Sequence, residues 1–410
     1  MPFAVYVLGL AVFAQGTSEF MLSGLLSGIA ADLGVSIPAA GLLTSAFAIG
    51  MVLGAPLMAS LSRRWPRRRA LLAFLVVFIA VHVVGALTPD YPVLLATRVV
   101  AALANAGFWA VALAAAVAMV PPELRARATS VVVGGVTVAC VAGVPAGAFL
   151  GERWGWRAAF WAVALVSVPA VLAIVRAVPA ERPEPSRAGV RGELRELARP
   201  RPLLTLLVSA LVQGATFCAF SYLEPLVTRV TGLGSGWVPA VLALFGAGSF
   251  VGVTIAGRIT EGRADTFVTV GLVSLAVGWA ALALGAAVPV AAIVLVFVQG
   301  MLAFGTGTAL ISRVFHRAPG APALAGAFAT AAFNVGGALG PWLGGLAITR
   351  GLGFRAPLWV SALLMALALL AAGALAWADR AAGRRTAGGP ATAREEAGRD
   401  GEPGGISVNG

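Results

Sequence analysis

Long apolar stretches alternate along the chain with short breaks that carry charge, Pro or Gly. Most stretches reach ~20 residues or more, the length of helix that crosses a hydrocarbon core ~30 Å thick. The pattern predicts twelve helices. The first six fall at 3–29, 39–61, 70–88, 92–119, 128–150 and 158–178. The second six fall at 203–229, 237–257, 266–286, 288–312, 323–348 and 356–377. A polar linker, 179–202, therefore separates an N-terminal six-helix half, 1–178, from a C-terminal half, 203–377. Residues 378–410 are rich in Gly, Arg, Glu and Pro and are expected to form a disordered tail.

Composition sharpens the class. Of 410 residues 59% are hydrophobic and 11% charged, and the mean hydropathy is +0.92. Soluble domains carry about 25% charged residues, so the expected class is an all-α membrane protein with twelve transmembrane helices. The N-terminus lacks the basic region of a signal peptide, and its first apolar segment reads as a retained helix. Cys140 and Cys218 lie in separate apolar segments and suggest core residues, with neither a disulfide framework nor a metal cluster.

A net charge of +12 could point to nucleic acid, but the placement of the charge is topological. All 29 basic residues are Arg. With an even number of helices the termini share one side, and that side holds 23 Arg, counting the linker and the even-to-odd loops. The opposite side holds five, and Arg98 lies within the fourth helix. The positive-inside rule then predicts cytoplasmic termini and linker in the cell (plasma or inner) membrane.

The halves share a repeat. Gly155-Trp156-Arg157-Ala158-Ala159-Phe160-Trp161 opens the sixth helix and Gly353-Phe354-Arg355-Ala356-Pro357-Leu358-Trp359 the twelfth. Two duplicated six-helix halves resemble the major facilitator fold, in which the substrate site lies at the membrane midplane between halves.

Candidate chemistry starts in the first helix. Within Gln15-Gly16-Thr17-Ser18-Glu19-Phe20-Met21, Glu19 sits near mid-membrane. A carboxylate there costs several kcal/mol unless paired, hydrated or protonated, roughly the range for a central charge. Such groups are kept mainly where ions or substrates pass. In the fourth helix, Leu94-Leu95-Ala96-Thr97-Arg98 resembles the superfamily's L-x-x-x-R, whose Arg contributes to proton coupling. Arg98 needs a carboxylate, a polar cluster or water; near its helix start it could instead snorkel outward. Asn105 is a polar lining candidate two turns deeper.

The loop Ser62-Arg63-Arg64-Trp65-Pro66-Arg67-Arg68-Arg69 stands where the superfamily carries G-x-x-x-D-R-x-G-R-R. Arg64, Arg67 and Arg68 match its basic positions, while Arg63 replaces the Asp and Pro66 a Gly. Two readings stay open: a degenerate gating loop, and a positive anchor on anionic headgroups. In the fifth helix, Gly134, Gly143, Pro145, Gly147 and Gly151 resemble the antiporter motif of the drug–proton exporters. Gly143, Gly147 and Gly151 recur every four residues on one face, where another helix can approach closely, and Pro145 permits a bend.

Together with Ala102-Leu103-Ala104-Asn105-Ala106-Gly107-Phe108 and Ala332-Phe333-Asn334-Val335-Gly336, these motifs resemble the chloramphenicol-resistance exporters of actinomycetes, within the twelve-helix drug–proton antiporter group. The resemblance implies a proton-coupled exporter of small drugs, phenicols foremost, working by alternating access. An exporter of sugars or an endogenous metabolite is the neighbouring alternative, and an integral-membrane enzyme a distant one. The candidate coupling or binding residues are Gln15, Glu19, Arg98, Asn105, Tyr222, Glu224 and Asn334, with Glu224, near a helix end, equally readable as a solvated carboxylate; Gln213, Phe217, Gln299 and Phe328 are further lining candidates. His82 reads as a packed or interfacial histidine. No Walker loop, zincin helix or nucleophile elbow occurs. The expected partners are a drug, protons and the bilayer, with no cofactor beyond the proton motive force, no metal, no nucleic acid, and a monomeric state.

Overall fold

The computed structural model describes residues 2–62, 65–178, 199–258, 264–317 and 322–387. Among these, every regular element is helical. The N-terminal half comprises α1 (Phe3–Phe20), α2 (Leu26–Leu33), α3 (Ile37–Ser62), α4 (Arg67–Leu87), α5 (Tyr91–Ala118), α6 (Arg125–Val138), α7 (Val144–Trp154) and α8 (Trp156–Ala177). The C-terminal half comprises α9 (Pro200–Ser221), α10 (Leu223–Arg229), α11 (Val238–Ala256), α12 (Ala264–Gly285), α13 (Pro289–Arg317), α14 (Pro322–Ala347) and α15 (Ala356–Ala387). Among the described residues, twelve spans are long and apolar enough to cross a membrane, as the hydrophobic pattern predicts.

Several spans are less regular than a simple apolar window suggests: the seventh, expected as one helix over 203–229, divides at Tyr222 into α9 and α10, and the eleventh ends in a π-turn, Ile348–Leu352. The first, expected as one helix over 3–29, breaks: α1 ends at Phe20, a 3-10 turn covers Met21–Gly24, and α2 follows. Ser23 and Gly24 favour such a break, since Ser bonds to nearby backbone and Gly gains freedom outside a helix. The fifth carries a π-turn, Ala139–Gly143, directly before α7. Pro145, in the first turn of α7, has no N–H to give to the preceding turn, which is the ordinary setting for such a bulge. The twelfth continues to Ala387, through residues assigned above to the tail. Its Ala and Arg residues are strong helix formers.

The duplication is visible in the packing. In the N-terminal half α3 packs on α5, α4 on α5 and α8, and α1 on α6 and α8. Shifting by six spans gives the C-terminal pairs: α11 on α13, α12 on α13 and α15, and α9 on α14 and α15. The repeated Gly-Trp-Arg and Gly-Phe-Arg turns also share a backbone feature. Gly155 and Gly353 both take positive φ, 81° and 73°, with extended ψ, a region open essentially to Gly alone. Each lets the chain reverse sharply into the next helix. Beside Gly155, Arg157 pairs with Asp32, Trp156 Nε1 donates to Asp32 Oδ2 at 3.0 Å, and Arg157 Nη2 donates to the Thr88 carbonyl at 3.0 Å. The Arg157 bond, then that of Trp156, holds the Asp32 carboxyl below the usual carboxylate range.

Each half has its own apolar core, and each lends residues to the other. Tyr222 of the C-terminal half belongs to the N-terminal core. Phe20, Cys140, Val144 and Ala148 of the N-terminal half belong to the C-terminal core. The outward faces remain apolar: Leu57, Leu165, Val277, Leu363 and Leu370 are all more than half exposed. In water such a surface would aggregate; in hydrocarbon it is the expected exterior.

Gly155→Ala is expected to lower thermal stability in detergent by an amount corresponding to ~1–3 kcal/mol, the cost of forcing a Cβ into that backbone region. A melting curve unchanged from wild type would show that the turn relaxes without the glycine.

Candidate functional site

Two buried polar features meet at the end of α1. The first is a cavity between the halves, lined by Glu19, Thr44, Phe47 and Ala48 on one side and Gln213, Phe217, Phe333, Asn334 and Gly337 on the other. Its space, about 80 Å³, suits a few waters at ~10–15 Å³ each. A drug-sized guest requires the halves to part. Glu19 has neither a hydrogen bond nor an ion pair among the described residues.

The second feature surrounds Arg98. Its side chain is 1% exposed, so it does not snorkel to the membrane surface. Arg98 Nη1 donates to Ser18 Oγ at 2.9 Å and Nη2 to the Ser18 carbonyl at 2.8 Å. Its guanidinium also lies 4.6 Å from the Phe47 ring centroid and 5.9 Å from that of Phe160, within reach of cation–π attraction. Ser18 Oγ sits 2.6 Å from His82 Nε2, and His82 Nδ1 sits 2.7 Å from the Phe78 carbonyl. Ser18 and Glu19 are consecutive, about 100° apart around the helix. One residue therefore faces the arginine and the other the cavity.

The remaining candidates divide. Gln213, Phe217 and Asn334 line the cavity with Glu19; Asn334 Nδ2 also donates to the Thr330 carbonyl at 2.9 Å. Gln15 is wholly buried with both amide atoms unpartnered, and buried Asn105 donates to Met51 Sδ at 3.4 Å with its Oδ1 unpartnered. Neither lines that cavity. Buried Gln299 donates to the Leu275 carbonyl at 3.4 Å inside the C-terminal half. Phe328 is 36% exposed.

Tyr222 does not present its hydroxyl to a guest here. It donates to the Pro341 carbonyl at 2.8 Å, while its ring reaches the α3 surface at Gly41. Glu224 is 8% exposed, and its Oε2 accepts the Ser27 backbone N–H at 3.1 Å. It therefore joins the halves instead of pointing into solvent. Ser235 Oγ donates to Glu152 Oε1 at 3.0 Å, another link between halves. Phe20 and Phe217 meet with centroids 5.6 Å apart. All these contacts lie toward the side opposite the N-terminus, so the halves are clasped there.

The glycine stripe of the antiporter motif packs on the first span: Gly143, Gly147 and Gly151 face Thr17, Met21 and Leu25, which share the same four-residue spacing. Gly134 faces open space. Arg67 and Arg68 open α4, and Arg64 lies outside the described residues. Among the described residues no cluster of His, Cys, Asp or Glu could hold a metal ion, and both cysteines are free and buried. Sequence reasoning missed Thr44, Phe47 and Ala48 as cavity walls, and Ser18 and His82 as partners of Arg98.

Duplicated six-helix halves, a polar cavity between them and a buried cation close to a cavity-lining carboxylate describe a membrane transporter of the two-bundle type. Residues 8–322 match the Major Facilitator Superfamily, and the chain belongs to that family. It is 53% identical over 375 residues to a chloramphenicol resistance protein of Streptomyces lividans, covering 91% of this chain and 96% of that one. It is also 34% identical over 372 residues to the inner membrane transport protein YdhP of Escherichia coli K12, covering 90% and 94%. Among solved structures, a bacterial homolog of the human lysosomal transporter Spinster superposes with a TM-score of 0.72 at 17% identity, covering 91% of this chain and 96% of that one. That likeness concerns the fold.

The clasp can be tested through Glu224. Glu224→Ala removes a charge-assisted hydrogen bond worth about 1.5–3 kcal/mol. Spin labels on the clasped ends of α2 and α10 should then show a population with the halves apart. Glu224→Gln keeps an acceptor for Ser27 and should stay closer to wild type.

Proposed function

We propose that the protein is a proton-coupled exporter of small drugs, chloramphenicol-type phenicols foremost, that works by rocking its two halves about the Glu19 cavity. The observation that carries this reading is the unpartnered Glu19 carboxylate lining a cavity between duplicated halves. The substrate class is supported by the 53% identity to a chloramphenicol resistance protein. Glu19 exchanges a proton for substrate, directly or through water. Arg98 tunes that exchange with its fixed charge. Gln213, Phe217, Phe333 and Asn334 contact the guest once the halves part. Gln15 and Asn105 supply buried polar groups that a changed helix arrangement brings into use. The glycine stripe and Pro145 let the fifth span bend against the first.

The arginine count supports termini and linker in the cytoplasm. The clasped side then faces outward, and the conformation is closed to the outside. Energetically the exchange suffices. One proton entering against a neutral drug leaving yields ~2.3 kcal/mol per 100 mV. At ~1.4 kcal/mol per tenfold, that sustains roughly a fiftyfold gradient before any pH difference. The chain acts as a single copy, with protons and the drug as its partners and the proton motive force in place of a cofactor.

The test is chloramphenicol accumulation in energised cells lacking other pumps. Expression should lower accumulation, a protonophore should restore it, and Glu19→Gln should abolish the difference at equal protein level. Unchanged accumulation with wild-type protein would remove the phenicol assignment and favour efflux of a sugar or metabolite. Orientation is tested separately: a phosphatase reporter fused within the linker should stay inactive, and activity there would reverse the topology.

A further inference from the structure

We propose that His82, acting through Ser18, is a positioning residue for proton coupling: it holds the Arg98 guanidinium on Ser18 and away from the Glu19 carboxylate, which is left free to take up and release a proton. This deepens the reading of Glu19 as the coupling group and rests on it.

The hydrogen bonds assign their own direction. The Phe78 carbonyl can only accept, so His82 Nδ1 carries a proton. In the neutral ring Nε2 is then an acceptor, and the group that can donate to it at 2.6 Å is the Ser18 hydroxyl. With its proton committed to His82, the Ser18 oxygen turns its lone pairs to the Arg98 N–H at 2.9 Å. The chain runs one way: Arg98 to Ser18, Ser18 to His82, His82 to Phe78. The second Arg98 bond, to the Ser18 carbonyl, fixes the same orientation.

Deleting the acceptor undoes this. A helical serine without an outside partner bonds back to the carbonyl four residues earlier. Its neighbour Thr17 already does so, donating to the Phe13 carbonyl at 2.8 Å. The Ser18 lone pairs would then turn away from Arg98, whose Nε already lacks a partner. A group that can compensate is Glu19, the next residue along α1. An ion pair with Arg98 would favour the ionised carboxylate by about 1–3 pH units.

Few other charges confuse the comparison. The titratable or charged groups that face this cluster are Glu19 on α1, Arg98 on α5 and Cys140 in the π-turn. The other surrounding elements offer Thr44 and Phe47 of α3, Phe160 of α8, Gln213 and Phe217 of α9, and Phe333 and Asn334 of α14. None of these carries charge.

The experiment uses the full-length protein in lipid nanodiscs without drug. In pH-difference infrared spectra, the carboxylic C=O band lost in Glu19→Gln reports protonation of Glu19. Ser18→Ala, which removes one atom, and His82→Leu should each lower the pH of half-protonation by about one unit, a tenfold change in proton affinity. His82→Gln, whose side-chain carbonyl can accept the Ser18 hydroxyl, should remain near wild type. Ser18→Ala at the wild-type value would overturn the proposal. So would His82→Gln shifted as far as His82→Leu, which would make titration of the imidazole the cause. A Glu19 band that shifts as expected, beside unchanged chloramphenicol accumulation, would refute the substrate and leave this inference standing. The absence of any band assignable to Glu19 would refute both.

Discussion

An arginine buried inside the N-terminal half must be satisfied, and much of the arrangement around the first span follows from that need. A guanidinium keeps its charge in the membrane and carries five donors. Arg98 meets part of this demand with two oxygens of Ser18 and the faces of Phe47 and Phe160, its Nε being left without a partner. Ser18 in turn requires His82, and His82 requires the Phe78 carbonyl. Four spans, the first, second, third and fourth, plus the sixth through Phe160, are thereby tied to one charge. What Arg98 does not take is the Glu19 carboxylate, although that residue is next in the chain. The cation stays in the N-terminal half and the anion faces the cavity.

That division suits a machine whose halves move as units. The polar chain lies within one half and need not break when the halves part. The links that must break are on the clasped side: Ser27 to Glu224, Glu152 to Ser235, Phe20 on Phe217, and Tyr222 in the opposite core. Close approach of the first and fifth spans is secured separately by the stripe of Gly143, Gly147 and Gly151. Side chains at those positions would push apart helices of a single half, so the stripe acts on the integrity of the unit as well as on its bending.

The architecture was largely legible in the sequence because bilayer thickness sets span length and the repeat at Gly155 and Gly353 sets the halving. Glu19 and Arg98 were legible because a charge in hydrocarbon is too costly to be incidental. Ser18 and His82 were not. A serine and a histidine in apolar helices have many bland uses, and their partnership spans 64 residues. Thr44, Phe47 and Ala48 escaped notice for a related reason: small and aromatic residues occur on every face of a transmembrane helix, so periodicity does not single out a cavity wall. Tyr222 and Glu224 drew attention as polar residues, but only the packing of the two halves distinguishes a clasp from a ligand site. The break after Phe20 was hidden because Met21–Leu26 is apolar enough to pass for continuous helix.

The clasp built from Tyr222, Phe20 and Phe217 has a thermal consequence. Among the described residues its polar links are few, so much of its hold comes from apolar surface that parting the halves would expose to water entering the vestibule. Attraction of that kind weakens on cooling, because apolar hydration carries a large heat capacity. The equilibrium between clasped and parted halves should therefore be curved in temperature, with the clasp loosening in the cold. Growth temperature would thus set the resting balance of the two conformations before any substrate arrives.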